Sequence, residues 1–113
     1  MTDTGNPFTL SFSVPQEHAA YPGHFPGDPL VPGALLLRWM IEQLQQQQLV
    51  VQLIKQCKFL NVVRPGDQLQ LQVTLQGDAG GGEGGSLTVA IACGDTPIAK
   101  AQCLYHRPDL AHE

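Results

Sequence analysis

The sequence predicts an α+β domain in which an antiparallel sheet is folded around a single helix. Two observations carry this. Residues 33 to about 47 form one helical segment with Ala34, Leu35, Leu36, Leu37, Trp39, Met40, Ile41 and Leu44 pointing in nearly every direction around it, the pattern of a helix buried on most sides. The rest of the chain is strand-like, in segments set apart by proline and glycine turns, so the sheet that such a helix needs is present in the same domain.

Taken in order, residues 8–14, "FTLSFSV", set Phe8, Leu10, Phe12 and Val14 on one side and Thr9, Ser11 and Ser13 on the other. Period two marks a half-buried strand, and Pro15 ends it. Residues 15–33 form a loop with proline at 15, 22, 26, 29 and 32 and glycine at 23, 27 and 33. Proline fixes φ while glycine admits conformations that other residues refuse, so the loop is held in one shape. The helix follows, and the glutamines at 45–48 mark where it reaches water. Trp39 and Met40 read as core.

Residues 49–63, "LVVQLIKQCKFLNVV", are rich in β-branched and apolar side chains. "RPGDQ" then predicts a turn, with Pro65 at its first corner and Gly66 at the next. Residues 68–76, "QLQLQVTLQ", alternate most cleanly, with Leu69, Leu71, Val73 and Leu75 facing in. "GDAGGGEGGS", 77–86, reads as a flexible connection. Two strands near 87–93 and 97–106, joined at "GDTP", complete the sheet. Residues 1–113 form one domain, near the commonest domain size.

Hydrophobic residues make up 42% of the chain and the net charge is −4, from six basic and ten acidic residues. The scattered cations argue against nucleic acid and an anionic membrane surface. No basic, apolar leader opens the chain, and no apolar run approaches the roughly 20 residues needed to span a bilayer. The expectation is a soluble, cytoplasmic protein. Cys57, Cys93 and Cys103 lack the close pairs of a zinc site and are expected as buried, reduced thiols. A disulfide between Cys93 and Cys103, which flank the last hairpin, is the lesser alternative. No two histidines have metal-ligand spacing, so neither metal nor cofactor is expected. His18, His106 and His112 are expected to be solvated.

"GHFPGDPLVPGALL", 23–36, resembles the signature of the 3-hydroxyacyl-[acyl-carrier-protein] dehydratases of fatty acid synthesis, a hotdog-fold family. "KFLNVVRPGDQLQLQV", 58–73, is similar to that family's next landmark, in which a Pro-Gly-Asp turn joins two strands. The resemblance, closest to divergent ApeI-like members, implies a hotdog fold and a dimer with acyl tunnels at the subunit interface. It implies an acyl carrier protein as partner, presenting the substrate on its phosphopantetheine arm. It also implies that His24 is the catalytic base and that the Gly33 amide polarises the thioester carbonyl. The residue types fit these roles. An imidazole on a rigid loop moves protons near neutral pH. A helix N-terminus offers unpaired amides and partial positive charge to a developing oxyanion.

The family's helix carboxylate, which protonates the departing hydroxyl, has Arg38 in its place. A guanidinium stays charged at ordinary pH and is a poor proton donor. Three readings follow. Another acid substitutes: Glu42, one turn further along the same face, Asp28 in the loop, or Glu17 before it. Alternatively, a different hotdog subunit supplies the carboxylate in a heterodimer. In the third, dehydration is lost and the pocket binds acyl carriers or hydrolyses thioesters. Arg38 is expected to face the tunnel or else reach the dimer surface, the tunnel being favoured, with a plain Arg38–Glu42 ion pair as the simpler alternative. Pro32, Tyr21 and Phe25 are the candidates for substrate contact, the latter two equally placed to pack in the core. Lys55, Lys58 and Arg64 either meet an acidic carrier or form a solvated face.

Overall fold

In a computed structural model of the chain, the residues described are 7–17, 31–76 and 84–108. They form β1 (Phe8–Ser13), α1 (Gly33–Gln46), β2 (Val50–Phe59), β3 (Gln68–Gln76), β4 (Gly84–Cys93) and β5 (Thr96–His106). The strands make one antiparallel sheet in the order β1-β3-β4-β5-β2. The predicted α+β architecture and its turn positions are therefore present. Along β3 the alternation works as expected: Leu69, Leu71 and Val73 are buried while Gln68 and Gln72 are exposed.

One face of the sheet and one face of α1 share a single core. Leu35, Leu36, Trp39, Met40 and Leu44 of the helix meet Leu69, Leu71, Val73, Leu87, Val89, Ile91, Ala101 and Cys103 of the strands. Phe12 packs its ring 5.1 Å from Trp39. The helix departs from the expectation of burial on most sides. Ala34, Arg38, Glu42 and Gln45 are exposed, and Leu37 and Ile41 only half-buried. At 3.6 residues per turn these positions share one side of the cylinder, and the five strands of one chain cover only the other.

Two boundaries differ from the sequence expectation. β2 stops at Phe59, because the amides of Leu60 and Asn61 both turn to the carbonyl of Ile98, at 2.8 and 3.2 Å. β4 starts at Gly84, inside the segment read as a flexible connection. A Cβ on Gly84 would lie 2.5 Å from the carbonyl oxygen of Tyr105, so this glycine admits close backbone packing. The Pro65–Gly66 turn forms as predicted, with Gly66 at φ +91° and the amide of Asp67 donating to the carbonyl of Arg64. All three cysteines are free thiols. Cys93 sits beside the β4–β5 turn, opposite Thr96, whereas Cys103 faces Leu87 far down the ladder. That separation rules out the alternative disulfide.

The end of α1 carries local strain. The amide of Leu49 donates to the carbonyl of Leu44 at 3.0 Å and that of Gln48 to Gln45 at 2.9 Å, the paired bonds of a Schellman motif. Its left-handed position is held by Gln48, at φ 67°, where an L side chain costs about 1–2 kcal/mol. The buried Leu44–Leu49 pair offsets this. Gln48→Gly is expected to raise the urea midpoint by the equivalent of about 0.5–1 kcal/mol, since glycine adopts this conformation freely but loses more chain entropy.

A second expectation concerns alkaline stability. Burial, and secondarily the neighbouring Cys57, push the Cys103 thiol from 9.0 up to about 11. A thiol whose folded value is raised contributes fully below the unfolded value and loses that contribution as pH rises towards the folded one. The urea midpoint should therefore fall between pH 9 and 11, and Cys103→Ala should remove part of that fall.

Candidate active site

The site is built where the helix begins. The amide of Val31 donates to the carbonyl of Val63 at 2.9 Å, tying the approach to α1 onto the chain leaving β2. Pro32 is extended, at φ −61° and ψ 142°, and gives no side-chain cap. Its carbonyl accepts from Leu35 and Leu36, at 3.0 and 3.1 Å. The amides of Gly33 and Ala34 find no carbonyl among the described residues. The first helical turn thus presents two donors together with the positive end of the helix dipole.

The residue next to these donors was not singled out by the sequence reading. A Cβ on Gly33 would stand 3.0 Å from Cζ of Phe59 and 3.3 Å from Cε1 and Cε2. The end of the Phe59 ring therefore rests against the Gly33 backbone, and glycine is what admits it. Phe59 is 48% exposed, followed by Leu60 at 50% and Val62 at 52%. An apolar shelf leads from solvent to the open amides. The available signal was the Lys-Phe that opens the second family-like landmark, but nothing in one dimension joins it to Gly33.

His24, Asp28, Tyr21 and Phe25 lie outside the described residues. Pro32 and Gly33 stand together at the helix start. Arg38 does not face a channel within the chain: its side chain is 73% exposed, and its Nε lies 3.9 Å from Oε2 of Glu42, itself 55% exposed. The ion pair at helical spacing is present, because both residues occupy the side of α1 that the sheet leaves open. Glu17 is exposed. His106 corrects another expectation. It is half-buried at the end of β5, between Gly84 and Val50 in the ladder, and its buried Nδ1 has no hydrogen-bond partner.

The void lined by Phe12, Leu36, Trp39, Met40, Gln43, Leu69, Leu71 and Ile91 has about 10 Å³, room for one water at most and none for an acyl chain. Cys57 and Cys103 are poor nucleophiles. Burial raises the Cys57 thiol as it does Cys103, and the thiolate is the reactive form. Among the described residues no cluster of three His, Cys, Asp or Glu could hold a metal ion, and no helix is long and apolar enough to cross a membrane.

Known proteins bear on this arrangement. The chain is similar to the 3-hydroxyacyl-[acyl-carrier-protein] dehydratase FabZ of Levilactobacillus brevis, 36% identical over 81 residues, covering 63% of this chain and 55% of that protein. It is 43% identical over 68 residues to the FabZ of Ligilactobacillus salivarius, covering 48% and 46%. The chain spans about half the length of the curated relatives it matches. Its fold is similar to that of the dehydratase heterocomplex ApeI:P from Xenorhabdus doucetiae, with a TM-score of 0.66 at 21% identity over 89% of this chain and 88% of that one. An uncharacterized protein from Erwinia carotovora subsp. atroseptica superposes with a TM-score of 0.61 at 24% identity, over 97% and 89%. These two likenesses establish the hotdog fold. The family described as ApeI-like, ApeI dehydratase, matches residues 1–89, and with 79 per cent of its length inside that match the chain belongs to the ApeI-like dehydratase family.

Proposed function

We propose that the chain is a subunit of a dehydratase acting on 3-hydroxyacyl thioesters. An acyl carrier protein delivers the substrate, in fatty acid or related lipid or polyene synthesis. The observation that carries this reading is the uncapped start of α1, with the Gly33 and Ala34 amides open beside the apolar shelf of Phe59, Leu60 and Val62. A thioester carbonyl fits there, its acyl chain leaving along apolar surface. His24 takes the proton from the carbon next to the carbonyl. Negative charge then develops on the carbonyl oxygen, where the Gly33 N–H and the helix dipole stabilise it. The C–O bond to the hydroxyl breaks, and the hydroxyl leaves as water with a proton from an acid.

That acid is the demanding part. Arg38 cannot supply the proton, and Glu42 is the carboxylate on the same open side of α1, 3.9 Å from Arg38. The second reading is a partner-dependent subunit, in which another hotdog chain brings the carboxylate or the chain only binds acyl carriers. It is favoured by the exposed helix side and by the open edge of β2, where edge-to-edge assembly would cover both. Thioester hydrolysis using His24 and the amide alone stands third.

Enoyl thioester absorbance, followed with purified chain and 3-hydroxyacyl carrier substrates, tests the reading. His24→Ala should lower the rate by about 10²–10⁴-fold, the usual contribution of a positioned base. Release of free thiol in place of the enoyl product would establish hydrolysis. Arg38→Glu is expected to speed dehydration by the lone chain at least about tenfold, because it returns a proton donor to the helix. Gly33→Ala should lower kcat/KM more than about tenfold by driving the methyl into the Phe59 ring, and Phe59→Leu in the same chain should recover part of the loss.

A further inference from the structure

The sheet carries cations and no anions. None of its five strands contains an aspartate or a glutamate, while all three lysines of the chain lie on β2 and β5. The net charge is nevertheless −4, because all ten acidic residues fall outside the strands. Lys58 stands directly opposite Lys100 across the β2–β5 ladder, and Gln56 directly opposite Gln102. All four are exposed. Cys57 and Ala101, which pair between them, face the core, so at period two the lysines and glutamines form adjacent rows on the outer face.

These four side chains line a shallow depression of about 100 Å³. It is too small for a drug-sized molecule, whose sites begin near about 300 Å³, and suits a small ion. The β4 residues beside it, Thr88 next to Gln102 and Ala90 next to Lys100, are short and uncharged. Residues directly opposite in an antiparallel pair hold their Cβ atoms about 5 Å apart, and like charges there repel. The two ammonium groups can draw apart only by giving up rotamers. Among the described residues no carboxylate forms an ion pair with either lysine, the pair that does form being Arg38–Glu42 on the helix.

We propose that Lys58, Lys100, Gln56 and Gln102 form a binding site for a tetrahedral dianion, either free phosphate or the phosphoryl group of a phosphate monoester. Two ammonium groups balance the charge of about −1.5 to −2 that a phosphate monoester carries at pH 7. Lysine donates charge-assisted hydrogen bonds to such oxygens, and the two glutamine amides add N–H donors for the oxygens that remain. A phosphodiester or a lone carboxylate brings a single negative charge and leaves one ammonium uncompensated, so the lysine pair selects against both. A bound dianion also turns the repulsive row into a bridged one and tightens the β2–β5 ladder. The site lies on the face of the sheet away from α1. It uses no step of the dehydration chemistry and no contact along the edge of β2.

Titration of the whole chain, followed by its backbone amide NMR shifts, tests the site with inorganic phosphate, phenyl phosphate and dimethyl phosphate, NaCl holding the ionic strength constant. Phosphate and phenyl phosphate should bind saturably and move the amides of residues 56–58 and 100–102. Kd should be at least about tenfold weaker for Lys58→Gln and for Lys100→Gln, and for dimethyl phosphate on the unaltered chain. The two substitutions act from different strands, so either one that folds by circular dichroism suffices. Tighter binding of phenyl phosphate than of inorganic phosphate assigns the site to an esterified ligand, and the reverse to the free ion. Each substitution should also raise the urea midpoint without phosphate, by relieving the repulsion. It should abolish most of the further rise that about 10 mM phosphate gives the unaltered chain. Shifts centred on Gly33 and Ala34 would overturn the proposal by placing the anion at the helix start. Dimethyl phosphate binding as tightly as phenyl phosphate, or undiminished binding by both glutamine variants, would overturn it as well. So would displacement by chloride at matched ionic strength, the mark of an unselective ion. The enoyl rate of His24→Ala tests the dehydratase reading separately, and none of these outcomes alters it.

Discussion

One backbone hydrogen bond, from the Val31 amide to the Val63 carbonyl, fixes where the helix starts relative to the sheet. The first-turn amides are placed from that point. With the helix start pinned to the exit of β2, Gly33 lands under the Phe59 ring and the first-turn amides open beside apolar surface. The buried stripe from Leu35 to Leu44 then has one way to meet the sheet. Packing interiors have little tolerance for displacement, so the core holds the amides where that hydrogen bond sets them.

Much of the scaffold was legible in the sequence because its signals are local. The alternation of β1 and β3, the apolar run of α1 and the Pro65–Gly66 turn each need only their own residues. What was not legible depends on neighbours distant in the chain. Gly84 reads as linker until the Tyr105 carbonyl is found where a side chain would go. Phe59 reads as one more strand residue until Gly33 is found against it. His106, on a strand near the end of the chain, gives no hint that its Nδ1 is enclosed. The direction of Arg38 depends on which side of the helix the sheet leaves open, and no count along the motif supplies that. His24 was reached by resemblance together with the chemistry of imidazole, and not by periodicity or composition.

The candidate site is asymmetric in how its parts are secured. In the proposed reaction the electrophilic half would be an amide at a helix start, which is packed on the core and needs no side chain at Gly33. The proton-donating half would fall at Arg38, a cation already engaged with Glu42 on an exposed surface. Stabilising an oxyanion and delivering a proton are separable contributions to the same barrier. A chain can retain the first in full while the second passes to another group or another molecule.

The bare margin of β2 also has a consequence for how the protein is made. Among the described residues nothing pairs with the outer edge of β2, and an unpaired strand edge between greasy ends is the kind of template on which strands from other molecules stack. Its lysines and two bulges slow that stacking without abolishing it. A copy with this edge uncovered is therefore more open to proteolysis and precipitation than one whose edge is paired.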